Sequence, residues 1–98
     1  MIVRIVKMKF QLGYQQDFEL LFEKVQPVIS KFDGCMQVKL LKDANDDCTY
    51  FTYSIWQSEK HLNHYRFSEF FKDTWTATKK LFAAKAEAWS LEEVKISG

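Results

Sequence analysis

One proline, three glycines and two cysteines are all that punctuate this 98-residue chain. No Gly-, Pro- or Ser-rich stretch divides it, so it reads as a single domain over residues 1–98. Two cysteines, Cys35 and Cys48, make neither a disulfide framework nor a metal site. On the hairpin expected below, Cys35 lies opposite a position near Ile55, well along the strand from Cys48. At roughly 3.3 Å per residue the two thiols are on the order of 20 Å apart, beyond bridging distance. Free thiols suit a reducing compartment. An excess of either charge is missing too: 14 basic and 13 acidic residues are interleaved, for a net charge of +1. That argues against nucleic acid as the main partner, and the pair Lys79-Lys80 reads as a solvated helix face. The start, MIVRIVKMKF, is too short and too regularly charged for a signal peptide or a membrane span. The expectation is a cytoplasmic protein.

What the chain has in quantity is apolar surface. Hydrophobic residues make up 47% and aromatics 16%, with nine Phe. A domain of this size buries only about two-thirds of its unfolded surface, so part of that surplus is expected to meet a second copy of the chain.

The spacing of apolar residues predicts the elements. Ile2 to Phe10 is a β-branched, alternating run, with Val6, Met8 and Phe10 on one face. From Tyr14 to Phe32 the apolar residues Phe18, Leu21, Phe22, Val25, Val28 and Ile29 recur at helical steps. Pro27 should kink or split that helix, and Asp33-Gly34 should end it. Cys35 to Lys42 and Cys48 to Gln57 flank the polar turn DANDD and predict an antiparallel hairpin. Ser58 can cap a short helix from Glu59 to about Tyr65. Ser68 can cap a longer one that aligns Phe71, Trp75, Thr78, Leu81 and Phe82. Glu87 to Ile96 reads as a last strand.

The result is an α+β, ferredoxin-like β-α-β-β-α-β order with the second helix split, over a four-stranded antiparallel sheet. Helices cover one side of such a sheet, yet these strands carry apolar residues on both: Phe51, Tyr53 and Ile55 on one face, Tyr50 and Trp56 on the other. A homodimer through the uncovered face accounts for this. Which parity faces the helices depends on the hairpin register and stays open.

Chemistry-bearing side chains concentrate in SIWQSEKHLNHYRFSEFFKDTW, Ser54 to Trp75. On the short helix Leu62 and Tyr65 are the inward positions. His61 and Arg66 lie at the two edges of that face, and His64 points outward. His61 is thus the histidine able to reach a cavity between helices and sheet. Metal binding by the two histidines lacks a carboxylate or thiolate to complete the set. Trp75 reads either as core packing or as an aromatic wall for a flat ligand, with Tyr65 and His61 as polar anchors. Trp56 has the same two readings, as packing or at a cavity mouth. Arg4, a charge on an apolar strand, reads most simply as an exposed strand edge, or else as the partner of an acid or a ligand. A phosphate-cradling Gly-rich loop and a GxSxG motif are both missing.

The run FTYSIWQSEKHLNHYRFSEFFKDTW, followed by KKLFAAKAEAWSL, resembles the antibiotic biosynthesis monooxygenase superfamily. The resemblance lies in its Trp-x-Ser-x-x-x-Leu and Tyr-Arg-x-Ser-x-x-Phe-Lys segments and in the strand order, and it covers nearly the whole chain. It implies a dimeric α+β barrel with a cavity in each subunit. It also implies a monooxygenase that oxidises a small aromatic or enolisable substrate with O2 and no cofactor or metal. His61 would be its acid/base, Trp56, Tyr65, Arg66 and Trp75 would bind substrate, and a histidine, tyrosine or arginine would hold the oxyanion. Haem-degrading members carry a Trp ten residues before a His, and an Asn on the first strand. Here the helix positions hold Tyr65 and Trp75, and IVKMKF has no Asn, so the usual iron ligand is missing. Some quinol-oxidising members carry an Asn four residues before a Trp on the third strand; Thr52 holds that place if Trp56 matches. The alternatives are a non-catalytic dimer that binds a small hydrophobic ligand, and a haem-degrading or isomerase member of the superfamily.

Overall fold

The alternating run at the start of the chain becomes β1 (Ile2–Lys9), the central strand of the computed structural model, which describes residues 1–96. It pairs antiparallel with β3 (Thr49–Trp56) on one side and β4 (Glu87–Leu91) on the other. β2 (Cys35–Lys42) adds to the outer side of β3, giving the order β2-β3-β1-β4. The helices are α1 (Gln15–Ile29), α2 (Glu59–Arg66) and α3 (Glu69–Lys79). This is the ferredoxin-like α+β arrangement expected from the patterns, with the second helical unit split.

Local chemistry explains the boundaries. Ser58 and Ser68 cap α2 and α3, their hydroxyls accepting from the backbone N–H groups of His61 and Phe71. In the β2–β3 turn, Asp43 and Asp46 accept from the backbone N–H groups of Asn45 and Cys48, a short-range device that fixes the hairpin. Cys35 and Cys48 are free thiols.

Three expectations need correction. Pro27 does not split α1, which runs through it to Ile29. Pro27 and Glu23 both lie on the exposed side, so water can serve the Glu23 carbonyl that loses its helical donor. The helix also ends before Asp33-Gly34, although Gly34 does take the left-handed conformation, at φ 82°. β4 stops at Leu91, short of Ile96. Leu91 pairs with Val3 and β1 begins at Ile2, so the ladder runs out of partner.

The register settles which parity faces the helices. Ile2, Met8, Val38, Tyr50 and Trp56 are buried together with Phe18, Ile29 and Leu62 from the helices. The opposite face carries Val3, Ile5, Phe51, Tyr53 and Ile55, with Leu41, Trp89 and Leu91 exposed beside them. Among the described residues no helix is long and apolar enough to cross a membrane.

The core is divided. One cluster gathers Ile2, Ile29, Val38, Trp56 and Leu62; the other gathers Met8, Phe10, Phe18 and Tyr50. Phe22 on α1 packs against both.

Candidate functional site

Along β3 the helix-facing side chains run Tyr50, Thr52, Ser54, Trp56: two large residues enclosing two small ones. Tyr50 anchors one core cluster and Trp56 the other, while Thr52 and Ser54 are too short to fill the space between. On the neighbouring strands the corresponding positions hold Val6 and Ala88, Arg4 and Ser90. The helices roof this gap without closing it, leaving a cavity of 260 Å³. That volume lies just below the roughly 300–1,000 Å³ usual for drug-sized ligands and suits a molecule of one or two rings.

Its walls are mostly apolar. α1 supplies Phe18, Leu21, Phe22, Val25 and Ile29; α2 and α3 supply Leu62, Tyr65, Phe71 and Trp75. Aromatic contacts tie these walls together. Trp56, with no exposed surface, stacks on Tyr65 at 5.1 Å between ring centroids; Tyr65 meets Phe71 edge-on at 5.1 Å, and Phe71 stacks on Trp75 at 5.8 Å. Such contacts hold the rings in fixed orientations beyond what burial alone provides. The indole N–H of Trp56 donates to Ser54 Oγ at 2.9 Å, which satisfies the one polar atom of that buried ring.

Among the described residues, the ionisable groups of the lining are Arg4, Tyr65 and Arg66, with no carboxylate, histidine or cysteine. Burial, with a smaller contribution from the Cys35 thiol, pushes the Tyr65 phenol well above its usual range, so at neutral pH it is a neutral hydroxyl. Burial and the nearby Arg66 charge lower the Arg4 guanidinium from its ordinary value, though it stays protonated at neutral pH. The arrangement can therefore enclose a flat apolar body and hold negative charge. It offers no side chain that exchanges protons near neutrality. Among the described residues no group of three or more His, Cys, Asp or Glu could hold a metal ion.

Of the residues singled out from the sequence, Trp56, Tyr65, Arg66 and Trp75 are brought together around this cavity. His61 is not among its lining residues. Its Nδ1 lies 2.7 Å from Ser58 Oγ, its Nε2 lies 3.6 Å from Asp33 Oδ2, and its ring packs over Gly34. His64 is exposed. Arg4 is not at a sheet edge: β1 is paired on both sides, and Arg4 faces the helices. Its parity was the available signal, since it shares alternation with Val6, Met8 and Phe10. Phe22, Val25 and Ser54 were missed because nothing in a sequence marks which core residues border a void.

The sequence profile of the antibiotic biosynthesis monooxygenase family matches residues 1–77. A search of curated proteins finds no match. Solved structures share the fold closely. A conserved protein from Methanosarcina mazei Go1 superposes with a TM-score of 0.89 at 17% identity, covering 96% of this chain and 94% of that one. Rv0793 from Mycobacterium tuberculosis gives 0.87 at 14% identity, with 99% and 98% covered. SnoaB, a cofactor-independent oxygenase from Streptomyces nogalater, gives 0.86 at 16% identity, with 97% and 94% covered. Identities this low speak for fold, and the profile match over most of the chain speaks for kinship. On that match, this chain belongs to the antibiotic biosynthesis monooxygenase family.

Proposed function

We propose that the chain is a monooxygenase that takes a small aromatic or enolisable molecule into this cavity and oxidises it with O2, the substrate supplying the electrons. The observation that carries the reading is the cavity's composition: a flat aromatic wall with two guanidinium groups and a neutral phenol as its charged and acidic groups. Family membership and the likeness to a cofactor-independent oxygenase support it. A substrate that loses a proton to form an enolate or phenolate becomes a better electron donor. Arg4, Arg66 and the Tyr65 hydroxyl would lower the cost of that charge, and the apolar walls would exclude water. In the simplest balance a ring CH2 becomes C=O: the carbon gives up four electrons, one oxygen atom enters the product and the other leaves as water. The proton goes to solvent or to O2 as it is reduced, since no side chain of the lining is a base near neutrality. His61, held over the Asp33-Gly34 turn and outside this lining, takes no part in the proposed step.

The subunit would work as a homodimer. Val3, Ile5, Phe51, Tyr53, Ile55 and Trp89 form a largely apolar sheet face, with Lys7 and Lys39 beside them, that no helix among the described residues covers, and a second copy is the partner of matching chemistry.

Oxygen uptake with a panel of hydroquinones and anthrones tests the activity. Uptake at one equivalent of O2 per product formed supports it. Ligand binding without uptake would turn the assignment to the second reading, a non-catalytic dimer that binds a small hydrophobic ligand. The lack of a neutral-range base in the lining favours that second reading.

A further inference from the structure

Among the described residues, neither arginine of the cavity has a counter-charge. Arg4 donates to Ser90 Oγ at 2.9 Å, a neutral acceptor, and Arg66 to Asn63 Oδ1 at 3.4 Å, a marginal contact. The carboxylates that form ion pairs among the described residues meet Lys9 and Lys42 instead, and Asp33 lies beside His61. A guanidinium carries five N–H donors, so most of this capacity is unspent. The placement is also against the strand pattern: Arg4 is half-buried on the helix-facing side of the central strand, flanked by Ser54 and Ser90. A Val or Thr would suit the same site at lower desolvation cost. Its charge lies within electrostatic reach of Arg66, and the two repel. Two half-buried like charges in the lining of a mostly apolar cavity describe a seat that an anion completes.

We propose that Arg4 and Arg66 together bind the carboxylate of a ligand whose aromatic body occupies the cavity between Phe22 and Trp75. The inference deepens the ligand-binding reading of the same cavity and rests on it. A planar carboxylate matches the fork of a guanidinium, and a two-ring body matches the 260 Å³ beyond it. Inorganic phosphate would satisfy the charges and leave the apolar volume unfilled. The ligand class is thus an aromatic acid rather than a phosphorylated metabolite.

Calorimetric titration with 2-naphthoate and cinnamate, each beside its neutral amide, tests this on the full chain. The acids should bind about tenfold or more tightly than the matched amides, the scale of charge-assisted hydrogen bonds. Arg4→Gln and Arg66→Gln should each shrink that gap to about two- to threefold while amide affinity falls far less than acid affinity, and added salt should weaken only the acids. Amide binding doubles as the folding control for each variant, and the wild-type comparison needs no variant at all. Acid and amide binding equally would overturn the anion seat and leave the cavity as a ligand site. Binding of neither would overturn both readings. Inorganic phosphate binding as tightly as 2-naphthoate and displacing it would overturn the carboxylate class.

Discussion

The backbone of Gly34 lies directly against the imidazole of His61: a Cβ at Gly34 would overlap the ring's Cγ and Cδ2 and the Cβ of His61. Gly13 also has a positive φ, 97°, but faces open space. The pair separates backbone strain from collision. Gly13→Ala should cost about 1 kcal/mol from the left-handed backbone alone. Gly34→Ala should cost on the order of 3 kcal/mol, because the collision falls near the His61 backbone, where it cannot swing away. His61→Ala in the Gly34→Ala background should restore part of the loss. Urea denaturation of the four proteins checks this, and equal costs at the two glycines would refute the ring contact.

His61→Ala in the otherwise wild-type chain should leave 2-naphthoate affinity unchanged within about twofold, since the ring lies outside the cavity lining. A large fall in affinity at unchanged stability would return His61 to the site.

Tyr65 should make the fold sensitive to alkali. Burial holds its folded-state pKa above the ordinary tyrosine value of about 10, so the phenol stays neutral in the fold while the unfolded chain ionises. The stability it contributes is fully present below about pH 10 and is lost as pH rises beyond it, because the unfolded state then releases the proton more readily. Tyr65→Phe should flatten the fall in stability between about pH 10 and 11.5 relative to wild type. Parallel slopes for the two proteins would show that Tyr65 is not the group responsible. Tyr50 is also raised, by burial and by its bond to Glu19, and provides the residual slope.

Filling the floor of the cavity should abolish binding without unfolding the protein. Thr52→Leu adds apolar volume at one of the two small helix-facing positions of β3 and removes no hydrogen bond shown by the Thr52 side chain among the described residues. Affinity for cinnamamide should fall about tenfold or more while stability changes by less than about 1.5 kcal/mol. Undiminished binding would place the ligand elsewhere.

The uncovered sheet face predicts self-association. Wild type should run as a dimer in light scattering at micromolar concentration. Ile5→Lys, at the centre of that face between Tyr53 and Trp89, should run as a monomer with far-UV circular dichroism unchanged. A strictly monomeric wild type would remove the reason offered for that apolar face.

Elements whose periodicity is strong were legible in the sequence. β1, the hairpin strands, the Ser58 and Ser68 caps and the strand order all follow from local pattern. Errors arose where a local signal competes with a partner's geometry. Apolar residues to Ile96 look like strand, yet β1 has no residues left to pair beyond Val3–Leu91 but Ile2. Pro27 looks like a breaker, yet its lost bond falls on the exposed side of the last helical turns. Within the site, Tyr65 and Trp75 were visible as inward aromatics. The cavity was not, because it arises from Thr52 and Ser54 being too small for the space between two clusters. Spacing along a chain does not report that mismatch in volume. Helical spacing likewise brought His61 to the edge of the inward face but could not show that the Gly34 turn occupies that edge.

β4 gives the cavity wall Ala88, yet every residue of the strand is exposed and, among the described residues, β1 is its only neighbour in the sheet. The wall is therefore the part of the enclosure least costly to move aside. Its Trp89 and Leu91 stand on the same sheet face as Ile5. A second copy docking there would clamp the strand from behind. Dilution to monomer would then speed ligand entry and escape while leaving the binding groups untouched, so that residence time in the cavity would depend on protein concentration.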